Sequence, residues 1–557
     1  MTPLYKKILF TILILGFAVR VAGVGYGLPL WLVADEPPFV LAALKMIELK
    51  TIIPGLHAEE FKSFLYYPPY LSYILIPILG IILGFKYFSF EGSLADFTNY
   101  LGADLSYFFV GARLLSVALA VLSIYLVYRT AKNIFKEEWP ALLSSFFIAT
   151  SSLHIILSMT SRQWLAISLI HLSVIYFLTE PALSFKKRYF LSVLVAGVGM
   201  GISVISSLSV ILIILYCLFF EEKKIFELLR EKFVYLLAFM FIALAFLPLI
   251  LYPSSLGFGR DVTASESKLV LQFILAPFAF LARILFAEPF LVLSSAVGLV
   301  FAFFYQRKIF WPFLIFILAY SYIFNFAFRF EDRFLSPLLP LICILAGFGL
   351  WKFFNYLYRF EKLIATAIIA VFIILPAIFS LRLGYLAYAG DSRENMRAWI
   401  EEGLPPDAKI IVSARLLRVS SNKEALLEQE KIDKNSLRQV ERSEIYFGKN
   451  PIYPSFHALN LNSIENPDFF ADIEKYIADN SYEYMVLAET DYRKNPELHE
   501  RFKKIAEEGE FIVSFGEDSP VSISESFLGG SPFLLLETKE LGPKVSLYNL
   551  PAAGRAR

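Results

Sequence analysis

The chain has 557 residues, of which 57% are hydrophobic and 18% charged, and its mean hydropathy is +0.60. A protein folded in water cannot enclose that much apolar surface, so the composition excludes an ordinary soluble globule and makes lipid the solvent for most of the chain. The net charge of +1 argues against nucleic acid as a partner, and the two cysteines, Cys217 and Cys343, both lie within apolar runs, which argues against a disulfide framework or a thiolate metal site.

A helix that spans a bilayer needs about 20 mostly apolar residues. Runs of that kind fall near 8–27, 107–128, 141–159, 163–180, 189–205, 208–220, 233–252, 289–305, 309–326, 334–351 and 363–382. The first follows Lys6 and Lys7 in the manner of a signal peptide, but no clean small-residue cleavage site succeeds it, so it is read as a retained span. Two further stretches, 70–86 and 269–287, are ambiguous.

Sidedness addresses them, because basic residues gather in short cytoplasmic loops. With the N-terminus inside and 70–86 not crossing, the clusters Arg129–Lys132–Lys136, Lys186–Lys187–Arg188, Lys223–Lys224, Arg307–Lys308 and Lys352–Arg359 all fall inside. The stretch 70–86, weakened by Pro77 and Gly80, is therefore expected to be re-entrant or interfacial, and 269–287, interrupted by Pro277, not to cross. The expectation is a mainly α, multi-pass cell-membrane protein with about eleven transmembrane helices, or thirteen if both stretches cross. Its N-terminus would be cytoplasmic, with the long loop 28–106, the 253–268 segment and the tail on the outer face.

From about 385 the chain turns polar. NMRAWIEEG and DFFADIEKYIADN read as helices, and DAKIIVS, YEYMVLAE, EFIVSFG, PFLLLET and KVSLYNL as strands. Residues 385–557 are thus expected to form a small soluble α/β domain after a membrane domain at 1–384.

Polar residues with chemical potential gather on that outer face. Asp35 and Glu36 follow the first span and precede Pro37 and Pro38, which open an amphipathic helix. A helix cap is the plainer reading of Asp35; a general base at the membrane edge is the sharper one. His57, Glu59 and Glu60 have a spacing that can ligate a metal, although an exposed polar loop explains them more simply. Tyr66, Tyr67, Pro68 and Pro69 form YYPPY, where tyrosine suits the headgroup layer. Arg162 at an outer turn can grip phosphate through its planar fork, or simply snorkel, and Arg20 and Arg113 carry the same ambiguity. Arg329, Glu331, Asp332 and Arg333 form a charged knot, either a mutual clasp or a lipid-phosphate site.

Taken in order, these pieces resemble a known family: a span, then DE, an amphipathic helix and YPP about thirty residues on; then GARLLSVALAVLSIYLVYRTAKNIF, an Arg-bearing turn, and DRFLSPLLP. The chain resembles the GT-C membrane glycosyltransferases, in particular the family-39-like group of protein O-mannosyltransferases and lipid A aminoarabinose transferases, over roughly residues 1–382. NMRAWIEEGLPPDAKIIV also looks like the start of the soluble tail of prokaryotic members.

The resemblance implies transfer of a sugar from a polyprenyl-phosphate donor to a hydroxyl of a protein, glycan or lipid acceptor, with inversion. It makes Asp35 the catalytic base and Glu36 its neighbour. Arg162, Arg333 and Arg20 are candidates for the donor phosphate, and Tyr66, Tyr67, Pro68, His57 and Glu60 for the substrate pocket. No cofactor is implied with certainty, and a divalent metal is left open. Two departures stand out: SRQWLAIS lacks the acid that many relatives carry after the Arg, and VISSLS has Ser206 and Ser207 where many have a Lys. A lipid or solute transporter and a non-catalytic scaffold are the rival classes. Against the transporter, no two halves of the chain match and ionisable groups sit at helix ends rather than at the midplane.

Overall fold

The computed structural model describes residues 2–551, apart from 34, 63, 222–230, 255–281, 283, 328–330, 438–440, 442–444, 446–453, 490–495, 519–520, 522 and 524–530. Lys223, Lys224, Arg329, and nearly all of the 253–268 and 269–287 stretches lie outside the described residues.

The principal helices of the first part are α1 (Pro3–Ala22), α2 (Pro37–Leu49), α3 (Tyr70–Phe88), α4 (Ser106–Phe135), α5 (Glu138–Thr150), α6 (Ser152–Ser158), α7 (Trp164–Thr179) and α8 (Phe185–Gly199). They continue as α9 (Ser209–Phe219), α10 (Lys232–Leu251), α11 (Pro289–Tyr305), α12 (Arg307–Ala327), α13 (Leu339–Tyr358) and α14 (Lys362–Ala389). Each of the eleven expected spans thus has a helix. By length and apolar composition, however, six described helices can cross a membrane, or seven with the bent α5–α6 pair counted as one. Among the expected spans, α7, α9 and α11 are apolar but shorter than 18 residues.

One of the six is α3, where a re-entrant or interfacial helix was expected; it runs continuously through Pro77 and Gly80 and is long and apolar enough to cross. It meets the N-terminal turns of α4 through Phe108, Phe109 and Ala112, with Ile78 and Ile82 against Gly111. α10 leaves Leu236, Phe239, Ile242, Phe246 and Ile250 exposed, a stripe that only lipid can cover favourably.

The bundle closes around α13, whose first twelve residues, Leu339 to Leu350, are all buried. Without a hydrophobic drive between helices in lipid, association depends on close backbone approach, which small residues permit. A Cβ on Gly298 of α11 would lie 2.0 Å from the Leu345 carbonyl oxygen, and one on Gly349 would lie 2.2 Å from that of Ser294. The α5–α6 pair bends by 57° at Ser151. Such a break frees carbonyls on one side and amides on the other. Arg20 donates to the carbonyls of Ile148 (3.1 Å) and Ala149 (2.9 Å), while the Glu288 carboxylate accepts from Ser151 Oγ (2.7 Å) and the Leu153 amide (3.0 Å).

Beyond α14 the chain forms α15 (Ser392–Gly403), β1 (Lys409–Ser413), α16 (Lys423–Ile432), β2 (His457–Asn460), α17 (Pro467–Ala471), α18 (Ile473–Asp479), β3 (Tyr484–Ala488), α19 (Pro496–Glu507), β4 (Glu510–Phe515), α20 (Leu534–Glu537) and β5 (Val545–Asn549). The sheet order is β2-β1-β3-β5-β4. β1 pairs parallel with β2 and β3, and β5 runs antiparallel to β3 and β4. α15 begins with a capping box between Asp391 and Glu394.

Four of the five strand assignments hold. PFLLLET is instead the short helix α20, because Arg382 of α14 draws the carbonyls of Leu535 (3.1 Å) and Thr538 (2.6 Å) toward the bundle. The helix expected over DFFADIEKYIADN is two helices parted at Asp472.

Candidate active site

The linker between α1 and α2 carries the centre of the site. Asp35 has φ +61°, the left-handed region that Asp tolerates better than most residues. Its side chain does not cap α2; the N-cap position is Glu36, and no side-chain cap bond forms there. Instead Asp35 Oδ1 accepts from the Tyr66 hydroxyl at 2.8 Å, and Oδ2 lies 2.6 Å from Nη1 of Arg333. Arg333 turns its other amino group to Glu331 at 2.5 Å, and its guanidinium stands 5.9 Å from the ring centres of Trp164 and Phe334. Within the charged knot Arg333 therefore bridges Glu331 and Asp35.

Glu36 points the other way. It is buried, and its two oxygens receive Nε and Nη2 of Arg113, both at 2.7 Å. The Ser161 amide adds a third bond at 2.8 Å. Arg113 Nη1 continues to the carbonyls of Val24 (2.8 Å) and Tyr26 (2.7 Å). Glu36 is thus held by three hydrogen bonds, and through Arg113 it ties the linker to α4.

Between α6 and α7 lies a polar turn, and Thr160, Ser161, Arg162 and Gln163 are all buried there. Burial and the like charge of Arg333 push the Arg162 guanidinium down to about 10. Four polar atoms of this neighbourhood, Ser161 Oγ, Arg162 Nε, Gln163 Oε1 and Arg333 Nε, have no hydrogen-bond partner among the described residues. Buried polar groups are normally paired, so such a cluster marks a place built for a polar ligand. Tyr67 stacks on Phe39 at 5.1 Å and meets the Tyr66 ring at a tilt, with centres 4.6 Å apart. Burial and the nearby Asp35 charge push its phenol up to about 12, so it stays a neutral donor. Pro68 is buried behind it.

The structure therefore brings Asp35, Tyr66, Tyr67, Arg162 and Arg333 together. It does not bring three other expected residues there. Arg20 is fully buried, and its described bonds go to the carbonyls of Gly16, Ile148 and Ala149 and to His154 Nδ1; it is a packing arginine, sealed from Asp35. His57 and Glu60 sit on an exposed turn, 4.0 Å apart, with Glu60 paired to Lys45 at 3.2 Å, and no described contact joins them to the cluster. Gln163 and Trp164 join the site without having been named for it; the polar run TSRQ at a helix end was the available signal.

No group of three or more His, Cys, Asp or Glu able to hold a metal ion occurs among the described residues. Asp35, Glu36 and Glu331 are each paired with an arginine.

Residues 100–252 match the family model described as dolichyl-phosphate-mannose-protein mannosyltransferase, which bears out the resemblance read from the sequence over that stretch. Among curated proteins no sequence matches. Similar solved structures include ArnT from Cupriavidus metallidurans bound to undecaprenyl phosphate, at 11% identity and TM-score 0.46, covering 98% of this chain and 97% of that one. They also include the archaeal oligosaccharyltransferase AglB from Archaeoglobus fulgidus, in complex with an inhibitory peptide and a dolichol-phosphate, at 12% identity and TM-score 0.44, covering 91% and 73%. The arabinofuranosyltransferase AftD from Mycobacteria is similar at 12% identity and TM-score 0.38, covering 80% of this chain and 34% of that one.

Proposed function

We propose that this protein transfers a sugar from a polyprenyl-phosphate donor to an acceptor hydroxyl, with inversion, at the outer face of the membrane. The observation that carries the reading is the pairing of one carboxylate, Asp35, with one arginine, Arg333, beside the buried Arg162. An inverting displacement needs a carboxylate to take the acceptor proton and cations to receive the departing phosphate, and these three side chains supply both.

The phosphate of the donor engages Arg162 and Arg333. As Arg333 turns to the phosphate, its ion pair with Asp35 loosens and leaves Oδ2 open to an incoming hydroxyl. The acceptor oxygen attacks the anomeric carbon from the side opposite the phosphate and gives its proton to Asp35. The bond from the anomeric carbon to the phosphate oxygen breaks, and its electron pair leaves with the lipid phosphate, held by the two guanidinium groups. Tyr66 keeps the second carboxylate oxygen in place throughout. The outer-face placement of the C-terminal α/β region rests on the basic-loop argument from the sequence, with α3 lying in the interface or re-entering rather than crossing.

The test is consumption of lipid-linked sugar by purified protein, offered a panel of polyprenyl-phosphate sugars with a membrane extract as acceptor source. Turnover by the wild type that is lost in Asp35→Asn supports the reading. Turnover equal in both removes Asp35 from the role.

A further inference from the structure

The α1–α2 linker is held from two directions. On the bundle side, Arg113 grips the carbonyls of Val24 and Tyr26, and Glu36 is locked to Arg113 and the Ser161 amide. On the other side stands the C-terminal α/β region. The Tyr26 hydroxyl donates to Asp391 Oδ2 at 2.7 Å, with both residues buried. Asp391 is fixed in turn by Arg393, through Nε at 2.7 Å and Nη2 at 3.0 Å, and by the capping box that starts α15. Beyond Tyr26, Leu30 and Leu32 leave the bundle and enter the apolar core of the sheet, packed with Met396, Ile400, Val412 and Leu547. Leu32 is wholly enclosed.

Leu32 in the core of the sheet is followed directly by Val33 in the core of the bundle, so only residues 34 and 35 lie between these anchors and Glu36. A segment that short, pinned at both ends, has little freedom, and its left-handed residue is Asp35. We propose that the C-terminal region acts as a positioning element for the reaction: Tyr26, Leu30 and Leu32 tie the turn bearing Asp35 to the sheet, so that the geometry of the base is set by a part of the chain that does not touch the reacting atoms. This rests on the reading of Asp35 as the base. Catalysis is sensitive to such anchoring because displacements near 1 Å can cost on the order of a hundredfold in rate.

The experiment uses the full-length protein and two mild variants, Tyr26→Phe and Leu30→Ala, with two readouts. The first is amide hydrogen exchange over residues 24–36, which needs no substrate. The expected result is faster exchange there in both variants, with α4, α13 and β1 protected as in the wild type. The second is steady-state turnover, where kcat is expected to fall by about tenfold or more with the donor KM within about twofold, since the anchors do not touch the phosphate site. Unchanged exchange over 24–36 in both variants overturns the proposal, whatever the activity. Loosened exchange with unchanged kcat in an active enzyme overturns it too. If the wild type turns over but Asp35→Asn matches it, the base reading has failed, and the exchange data alone then decide whether the sheet holds the linker. If the wild type consumes no donor, exchange decides in the same way.

Discussion

Glu36 and Arg113 face each other with two parallel 2.7 Å hydrogen bonds, and neither side chain reaches solvent. Asp35, one residue earlier, is partly exposed and has a different arginine. The adjacent acids thus sit in different surroundings, and the proposed base role of Asp35 and holding role of Glu36 can be told apart by substitution.

Asp35→Asn keeps the shape of the side chain and can still bond to Tyr66 and Arg333. The variant is expected to express and melt like the wild type, while turnover falls by roughly a hundredfold to ten-thousandfold, the usual contribution of a general base. The check is single-turnover consumption of a lipid-linked sugar alongside a thermal melt. A low melting temperature would show that Asp35 holds the fold instead.

Glu36→Ala should do the reverse of a clean catalytic lesion. Removing one partner of a buried ion pair leaves the other charge unmatched and costs about 3–5 kcal/mol. Loss of folded protein in detergent, measured by size-exclusion chromatography, is the expected result. A well-folded Glu36→Ala protein would overturn the structural role.

Arg333→Gln removes a cation from the phosphate site and the counter-charge of Asp35 together. Donor KM is expected to rise by about tenfold or more and kcat to fall, because charge-assisted bonds to phosphate contribute about 1.5–3 kcal/mol each. His57→Ala, on its exposed turn, should leave both constants within about twofold of wild type, as surface changes usually do. A strong effect at His57 would draw that turn into the site.

The sheet carries a titration of its own. Burial alone would raise the Glu428 carboxyl, but hydrogen bonds from His457, Tyr476 and Tyr482 override it and hold the group down to about 2, against an ordinary 4.5. A depressed acid contributes stability above its unfolded value and loses that contribution as pH falls through the native one. Wild type is therefore expected to be more stable than Glu428→Gln at pH 7, by roughly 1–3 kcal/mol, with the gap closing as pH falls from about 4.5 toward 2. Paired melts across that range check it; a gap that stays constant with pH would mean the cluster acts through packing alone.

The long apolar runs were legible because bilayer thickness writes itself into sequence, and helices stand at all eleven expected places. What the runs did not reveal was length and bend: α5 and α6 read as one span, although Ser151 breaks them. Asp35 stood out through the DE motif and the resemblance rather than by its position, since a charge just past the end of a span is ordinary. Arg20 and Arg113 looked alike in sequence, each near the end of a span, and so did Arg162. Which one faces the site depends on helix rotation and on what packs opposite, which no local pattern contains. The strand β2 escaped notice since His457–Asn460 is four residues long and has no apolar alternation. PFLLLET misled for a related reason: a short apolar run does not separate strand from helix, and Arg382, far away in sequence, settles it.

The break at Ser151 also binds the inheritance of two distant positions. Arg20 answers the bared carbonyls and Glu288 the bared amides, so each neutralises one pole of the same local dipole. Changing either alone would strand a charge or a row of peptide groups inside the bundle. Tolerated change at this bend should therefore come as a matched pair, so that across diverging descendants of this chain residue 20 and residue 288 would drift together, as two halves of one character.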